Sequence, residues 1–112
     1  MSVELTVVIC THNPREDYLG RTLDALKAQT LPYEKWDFLV VDNASDPPLR
    51  ERLDLSWHPQ SRIVEEPELG ILPCRIRGLT ETKTPLVLFV DDDNVLAENY
   101  LEESMRIGAE YP

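Results

Sequence analysis

Basic residues are scarce in this 112-residue chain, which has 11 lysines and arginines against 21 aspartates and glutamates and a formal net charge of −10. Such an acidic protein is a poor nucleic-acid binder, because the phosphate backbone needs basic partners, and an anionic membrane surface would repel it. If the chain binds an anionic ligand, then a cation bridges the two or the few basic residues are concentrated at one place.

Cysteines and long apolar runs are also few. The chain has two cysteines, Cys10 and Cys74, and this number is too small for a disulfide framework or a zinc site. We expect both to be inert apolar fillers. No apolar run reaches the roughly 18 residues of a membrane span, and the N-terminus lacks the basic and apolar regions of a signal peptide. The sequence therefore predicts a cytoplasmic location, with no membrane span in this chain.

Four apolar segments alternate with candidate helices. The length and the hydrophobic content of 42% fit one globular domain over residues 1–112. Strands are predicted over residues 4–10, 36–41, 62–65 and 86–90. Helices are predicted from Glu16 to near Gln29 and from Ala97 to Ala109, with one or two helical turns over residues 49–55. A further helix is predicted with Pro73 in its first turn and an end at about Thr82. Gly78 lies inside a predicted helix, where it indicates a close approach to another element.

This alternation indicates a parallel sheet with right-handed crossovers. If three strands run outward and the fourth returns beside the first, the strand order is 3-2-1-4 in a Rossmann-like three-layer α/β sandwich. Ligands of such folds bind at the carboxyl ends of the strands, where the order reverses. We therefore expect residues 11–13 to face residues 91–93, with Asp42 next along the same rim.

Asp91, Asp92 and Asp93 directly follow the fourth strand. Their like charges repel, and a hard divalent cation such as Mg²⁺ or Mn²⁺ would relieve that repulsion. The alternative is a solvated acidic turn that caps the next helix. A calcium loop is excluded, because Val95 and Leu96 stand where an oxygen ligand and a glycine are needed. A receiver domain or an Asp-x-Asp phosphatase would place its acids after the first strand.

Other polar residues at the predicted rim have two interpretations each. Asp42 and Asn43 can hydrogen-bond a ribose or a base edge, or form an Asx turn. Arg75 can meet a phosphate near the start of its helix, or be a solvated arginine; Arg77 cannot face the same way. We expect His12 to be a loop or packing residue.

Four blocks of sequence together carry a resemblance to a known family. The chain resembles the N-terminal half of family 2 glycosyltransferases with the GT-A fold in residues 6–13, 39–46, 74–78 and 87–93. These blocks are similar, in order, to the first strand with its Thr-x-Asn turn, to a Val-Asp-Asp/Asn-x-Ser-x-Asp block, to Ala-Arg-Asn-x-Gly, and to the strand that ends in a metal-binding Asp-x-Asp motif.

The resemblance implies a site for a nucleoside-diphosphate sugar, with a UDP-sugar as the expected donor. The residues it implies at the nucleotide are Thr11, His12, Asn13, Asp42 and Asn43. It further implies that Arg75 approaches the base or diphosphate, that Asp91 or Asp92 holds the ribose, and that Asp93 and Asp91 bind Mn²⁺ or Mg²⁺. The implied reaction is inverting transfer of the sugar to an acceptor hydroxyl. The alternatives are a non-catalytic nucleotide- or metal-binding module and an acidic interaction domain.

In the resembling family, an acceptor half with the catalytic base follows the Asp-x-Asp strand. The resemblance therefore implies that residues 1–112 are a donor-binding fragment of a longer enzyme, inactive alone. We expect this fragment to self-associate through apolar surface that the other half would cover.

Overall fold

The computed structural model describes residues 3–110, with Glu110 described by its backbone alone. Its four strands are β1 (Leu5–Thr11), β2 (Trp36–Asp42), β3 (Ser61–Glu65) and β4 (Leu86–Phe89). All neighbouring strands are parallel, and their order across the sheet is β3-β2-β1-β4. The predicted order is thus confirmed, and the reversal lies between β1 and β4.

Three helices connect and follow these strands: α1 (Glu16–Lys27), α2 (Ile71–Glu81) and α3 (Tyr100–Glu110). Two short 3-10 turns cover Tyr33–Lys35 and Leu49–Glu51. The second turn is shorter than predicted, because the chain then extends to bury Leu55 in the core. Within residues 3–110, no helix combines the length and the apolar character needed to cross a membrane.

The bounds of α1 and α3 differ from the prediction because Gln29 joins the end of one to the start of the other. The Gln29 side chain donates to the carbonyl of Ala97 at 2.8 Å and accepts from the N–H of Leu101 at 2.9 Å. Gln29 therefore lies beyond α1, which ends at Lys27, and Ala97 lies before α3, which begins at Tyr100.

Side chains alternate between the two faces of the sheet and build a core on each. The larger core holds Val7 and Ile9 of β1 with Leu23 of α1 and Leu101 of α3. The smaller core holds Val8 of β1 against α2. The three-layer sandwich is therefore confirmed. Ile107 of α3 is half exposed, whereas Leu101 of the same helix is fully buried.

Gly78 brings α2 close to the sheet, as predicted. A Cβ atom at this position would lie 3.0 Å from Cγ1 of Val8 and 3.3 Å from the ring of Phe89. The helix start also agrees with the prediction that Pro73 lies in the first turn. Gly70, with a φ of 144°, turns the chain so that α2 begins at Ile71 and Pro73 lies in its first turn.

Candidate functional site

A cavity of about 290 Å³ opens at the carboxyl ends of β1 and β4. This is the lower end of the size range of small-molecule sites. The residues from the predicted set that line it are Thr11, His12, Asn43, Arg75 and Asp91. Four other residues of the predicted set do not line this cavity in the described part of the chain: Asn13, Asp42, Asp92 and Asp93. The structure thus brings together side chains that are up to 80 positions apart in the sequence.

Thr11 and the residues after β4 are joined directly. The hydroxyl of Thr11 donates to Oδ2 of Asp92 at 2.5 Å. The hydroxyl of Thr22, which is fully buried in α1, donates to the backbone carbonyl of Asp92 at 3.0 Å. Asp92 is therefore fixed through both its side chain and its backbone, and residues 11–13 and 91–93 face one another as the sequence predicted.

Asp91 and Asp93 are exposed, and neither forms an ion pair within the part of the chain that the structure describes. Over residues 3–109, no group of three or more His, Cys, Asp or Glu side chains is arranged to hold a metal ion by itself. Mg²⁺ commonly takes one or two carboxylates and completes its shell with water and substrate phosphates. Asp91 in the cavity wall and Asp93 two residues further on fit that pattern of binding together with an anionic ligand.

Asp42 lies beneath the rim rather than in the cavity wall. Its carboxylate is 1% exposed, and its two oxygens accept from the backbone N–H groups of Ser45 at 3.1 Å and Leu49 at 2.9 Å. Of its two interpretations, these contacts favour the Asx turn. The Asp42 carboxylate therefore shapes the loop after β2, with both oxygens already hydrogen-bonded.

Asn43 lines the cavity, but its side chain holds the loop before α2. Its amide nitrogen donates to the carbonyls of Glu66 at 3.0 Å and Glu68 at 2.8 Å, and its amide oxygen accepts from the N–H of Gly70 at 3.0 Å. One side chain thereby fixes the start of α2 relative to β2.

His12 and Asn13 form a second connection to the loop after β2. Nδ1 of His12 donates to the carbonyl of Asn43 at 2.6 Å, and Nε2 of His12 lies 3.2 Å from the amide nitrogen of Asn13, which donates to it. These contacts fit the neutral tautomer with its proton on Nδ1. Asn13 has a φ of 42°, and its amide oxygen accepts from the N–H of Asp46 at 2.8 Å. The prediction that His12 is a loop residue agrees with its exposure and these contacts.

Arg75 differs from the other arginines of the structure. Each of the others described lies within 4.0 Å of a carboxylate, whereas Arg75 has no such partner among residues 3–109. Its guanidinium carbon instead lies 5.6 Å from the centre of the Phe89 ring. Arg77 pairs with Glu66 and Glu81 and so faces away, as predicted. Arg75 is therefore a basic group beside the cavity that no acidic side chain among the described residues neutralises.

Three contributors to this site were not predicted from the sequence. Thr22 could have been found as a polar residue on the apolar face of α1, where it follows Leu19 and precedes Leu23. Cys10 and Cys74 were expected as inert apolar fillers, but both line the cavity, and Cys10 packs against the core cluster that contains Cys74. No local signal reveals that arrangement, because it depends on how α2 packs on the sheet.

A protein-family model described as Glycosyl transferase family 2 matches residues 6–107 of the chain. The chain belongs to glycosyl transferase family 2. It is similar to Glycosyltransferase AglE of Haloferax volcanii, with 25% identity over 104 residues that cover 90% of this chain and 34% of AglE. It is also similar to Glycosyltransferase GlyA of Streptococcus pneumoniae serotype 4, with 28% identity over 110 residues that cover 96% of this chain and 15% of GlyA.

Solved structures of glycosyltransferases share the fold of this family 2 chain. S. aureus TarS 1-349 in complex with UDP superposes with a TM-score of 0.81 at 23% identity, over 97% of this chain and 33% of that one. The mannosyltransferase PcManGT from Pyrobaculum calidifontis, in complex with GDP-Man and Mn²⁺, superposes with a TM-score of 0.76 at 25% identity, over 92% of this chain and 31% of that one. The predicted GT-A fold is thus confirmed. This chain spans about a third or less of the length of these proteins.

Proposed function

We propose that this chain is the donor-binding part of a glycosyltransferase and that it binds a nucleoside-diphosphate sugar together with Mn²⁺ or Mg²⁺. One observation carries the proposal. The cavity at the reversal of the sheet has the unpaired guanidinium of Arg75 on one side and the carboxylate of Asp91 on another, with Asp93 two residues further on. An anionic group and a divalent cation would neutralise both sets of charges together.

The nucleoside is proposed to occupy the cavity itself. Thr11, His12 and Asn43 form its polar wall, and Leu69 and Ile71 add apolar surface against which a base can lie. The ribose is assigned to Asp91 or Asp92, which follow β4 at the rim. TarS and PcManGT, which share the fold, bind UDP and GDP-Man respectively. We expect a uridine nucleotide to be preferred.

The diphosphate is proposed to lie between Arg75 and the carboxylates of Asp91 and Asp93. Arg75 can donate charge-assisted hydrogen bonds to phosphate oxygens. The two carboxylates would hold the cation, and the chemistry that a bound divalent cation supplies is neutralisation of the charge that develops on the departing diphosphate. The net charge of −10 favours a bound cation beside an anionic donor, because the cation offsets the repulsion between them.

The proposed reaction is inverting transfer of the sugar to an acceptor hydroxyl. Residues 1–112 bind and orient the donor, with Thr11 and Thr22 holding Asp92 in place. The catalytic base and the acceptor pocket are proposed to lie outside these residues, because the related glycosyltransferases are about three times as long or more. We expect the chain alone to bind donor weakly and to transfer little or no sugar.

Calorimetric titration of UDP, GDP and dTDP, each with and without Mn²⁺, tests this proposal on the wild type and on Arg75→Gln. We expect one nucleotide to bind in the presence of Mn²⁺, and Arg75→Gln to weaken that binding roughly 10-fold or more, as for loss of a charge-assisted contact. The matched control is Arg21→Gln, which removes the same charge from the exposed surface of α1. Equal weakening by both variants would contradict a specific role for Arg75, and binding of no nucleotide would favour an acidic interaction domain.

A further inference from the structure

The two cysteines of the chain meet in the wall of the cavity. Cys10 is the second-last residue of β1 and is partly exposed, whereas Cys74 of α2 is 1% exposed. Cys10 packs against the small core cluster that contains Cys74, and both residues line the cavity. Sγ of Cys74 also lies 3.8 Å from the carbonyl oxygen of Val41, and Val41 is the residue that pairs with Cys10 across β1 and β2. Both sulfurs therefore lie at the same level of the sheet.

The surroundings make the two thiols unequal. The hydrogen bond from Cys74 lowers the pKa of Cys10, against the effect of burial, and the positive charge of Arg75 lowers it further. The same contact and burial raise the pKa of Cys74. Because the thiolate is the reactive form of cysteine, Cys10 is the attacking group of the pair, and Cys74 remains a thiol beside it.

We propose that Cys10 and Cys74 form an oxidisable dithiol, in which a peroxide oxidises Cys10 and Cys74 then closes an intramolecular disulfide across the cavity wall. This inference stands on the packing of the two cysteines in one cavity wall and does not depend on the proposed function. It identifies a modification site that joins β1 to α2.

The proposed oxidation of the two cysteines takes place in two steps. The Cys10 thiolate attacks one peroxide oxygen; a sulfur–oxygen bond forms, the oxygen–oxygen bond breaks, and the leaving hydroxide takes a proton to become water. The sulfur of Cys74 then attacks the sulfenic acid of Cys10; the disulfide forms, the sulfur–oxygen bond breaks, and the second hydroxide leaves as water with the proton of the Cys74 thiol. The two thiols together lose two electrons, and the peroxide gains them.

Closure of this bond brings the sulfurs to about 2 Å from each other. The displacement is concentrated where α2 faces the cavity, next to Arg75, which directly follows Cys74. The oxidised and reduced chains therefore differ in the cavity wall.

Intact-mass measurement and thiol titration after exposure of the folded chain to hydrogen peroxide test the inference. The wild type should lose two hydrogen atoms in mass and both titratable thiols, remain monomeric in mass, and recover both thiols on reduction. Cys74→Ala should stop at an oxygenated Cys10, with a gain of one oxygen atom. Cys10→Ser should keep its Cys74 thiol at peroxide doses that fully oxidise the wild type.

Peptide mapping of the oxidised wild type provides a readout that does not depend on the variants folding. A cross-linked peptide pair that contains Cys10 and Cys74 is expected. Retention of both thiols in the wild type, or oxygen addition to Cys10 without loss of the Cys74 thiol, would overturn the inference. Disulfides that form only between separate chains would do the same.

Discussion

Thr11 donates a hydrogen bond of 2.5 Å to the carboxylate of Asp92 and so joins the ends of β1 and β4 across the reversal of the sheet. The two residues are 81 positions apart in the sequence. Thr22 holds the backbone carbonyl of the same aspartate from α1. The loop that carries Asp91 and Asp93 is thus attached to two elements that precede it.

Thr11→Val should weaken this connection, because valine has the shape of threonine without the hydroxyl. We expect a loss of about 1–2 kcal/mol in the free energy of unfolding, as for a hydrogen bond to a charged group that is only partly buried. Urea denaturation measures the loss. Thr11→Ser keeps a hydroxyl and should retain most of the stability. Equal stability of Thr11→Val and the wild type would show that the contact with Asp92 contributes nothing.

The two helical glycines Gly20 and Gly78 should respond in opposite ways to substitution by alanine. A Cβ at Gly20 of α1 meets nothing within 4 Å, so Gly20→Ala should stabilise the fold by up to about 1 kcal/mol through helix propensity. A Cβ at Gly78 would lie 3.0 Å from the stiff side chain of Val8.

Gly78→Ala should therefore give no stabilisation from helix propensity, or should destabilise the fold. We expect the free energies of unfolding of Gly20→Ala and Gly78→Ala to differ by about 1 kcal/mol or more. Thermal or urea unfolding of the pair gives the difference directly. The same stabilisation from both substitutions would mean that α2 does not pack against the sheet as closely as the structure has it.

His58 should make the stability of the fold depend on pH. The residue is 2% exposed among aromatic rings, and burial lowers the pKa of its imidazole below the ordinary value of 6.5. The unfolded chain therefore binds a proton more readily than the folded one. The stability due to neutral His58 is complete above about pH 6.5 and is lost as the pH falls below it.

The measurement is urea unfolding of the wild type and of His58→Asn between about pH 5 and pH 8. Asparagine can still accept from the N–H of Gln60, as Nδ1 of His58 does at 3.0 Å, but it does not titrate. We expect the stability difference between wild type and variant to shrink toward low pH. A stability difference between wild type and His58→Asn that does not change with pH would show that His58 is not the source of the pH dependence.

Self-association remains a prediction for the isolated chain. Strand β4 lies at the edge of the sheet, and the outer side of α2 exposes Ile71, Leu72, Ile76 and Leu79 by 53–67%. Contiguous apolar surface of this kind favours association. Light scattering across a wide concentration range should show a rising mass, and Ile76→Lys should reduce it. A monodisperse monomer at all concentrations would contradict the prediction.

Much of the fold follows from local patterns in the sequence. The β-branched run of β1 and the apolar run before Asp91 predict buried parallel strands, and their alternation with helices predicts the order of the sheet. Helix ends were less predictable, since Gln29 acts through contacts with residues 97 and 101 that appear only when α1 and α3 meet.

The location of the candidate site could be predicted from the sequence, but the roles of its individual residues could not all be predicted. Residues 11–13 and 91–93 face one another as the topology requires. The sequence left two roles open for Asp42 and Asn43, because an Asx turn and a ligand contact use the same residue types. Only the structure places the backbone N–H groups of Ser45 and Leu49 on the oxygens of Asp42. The packing of Cys10 and Cys74 in one cavity wall likewise has no periodicity or spacing that would predict it.

The most direct test of the central proposal is the dependence of nucleotide binding on Mn²⁺ in the wild type and in Asp93→Ala. The matched control is Asp54→Ala, which removes an exposed carboxylate that accepts from the N–H of Ser56 in a loop away from the cavity. We predict that the wild type and the control bind one nucleoside diphosphate only with Mn²⁺, and that Asp93→Ala loses this metal-dependent binding while remaining folded by circular dichroism. Binding by folded Asp93→Ala that is as tight and as metal-dependent as that of the wild type would contradict the account.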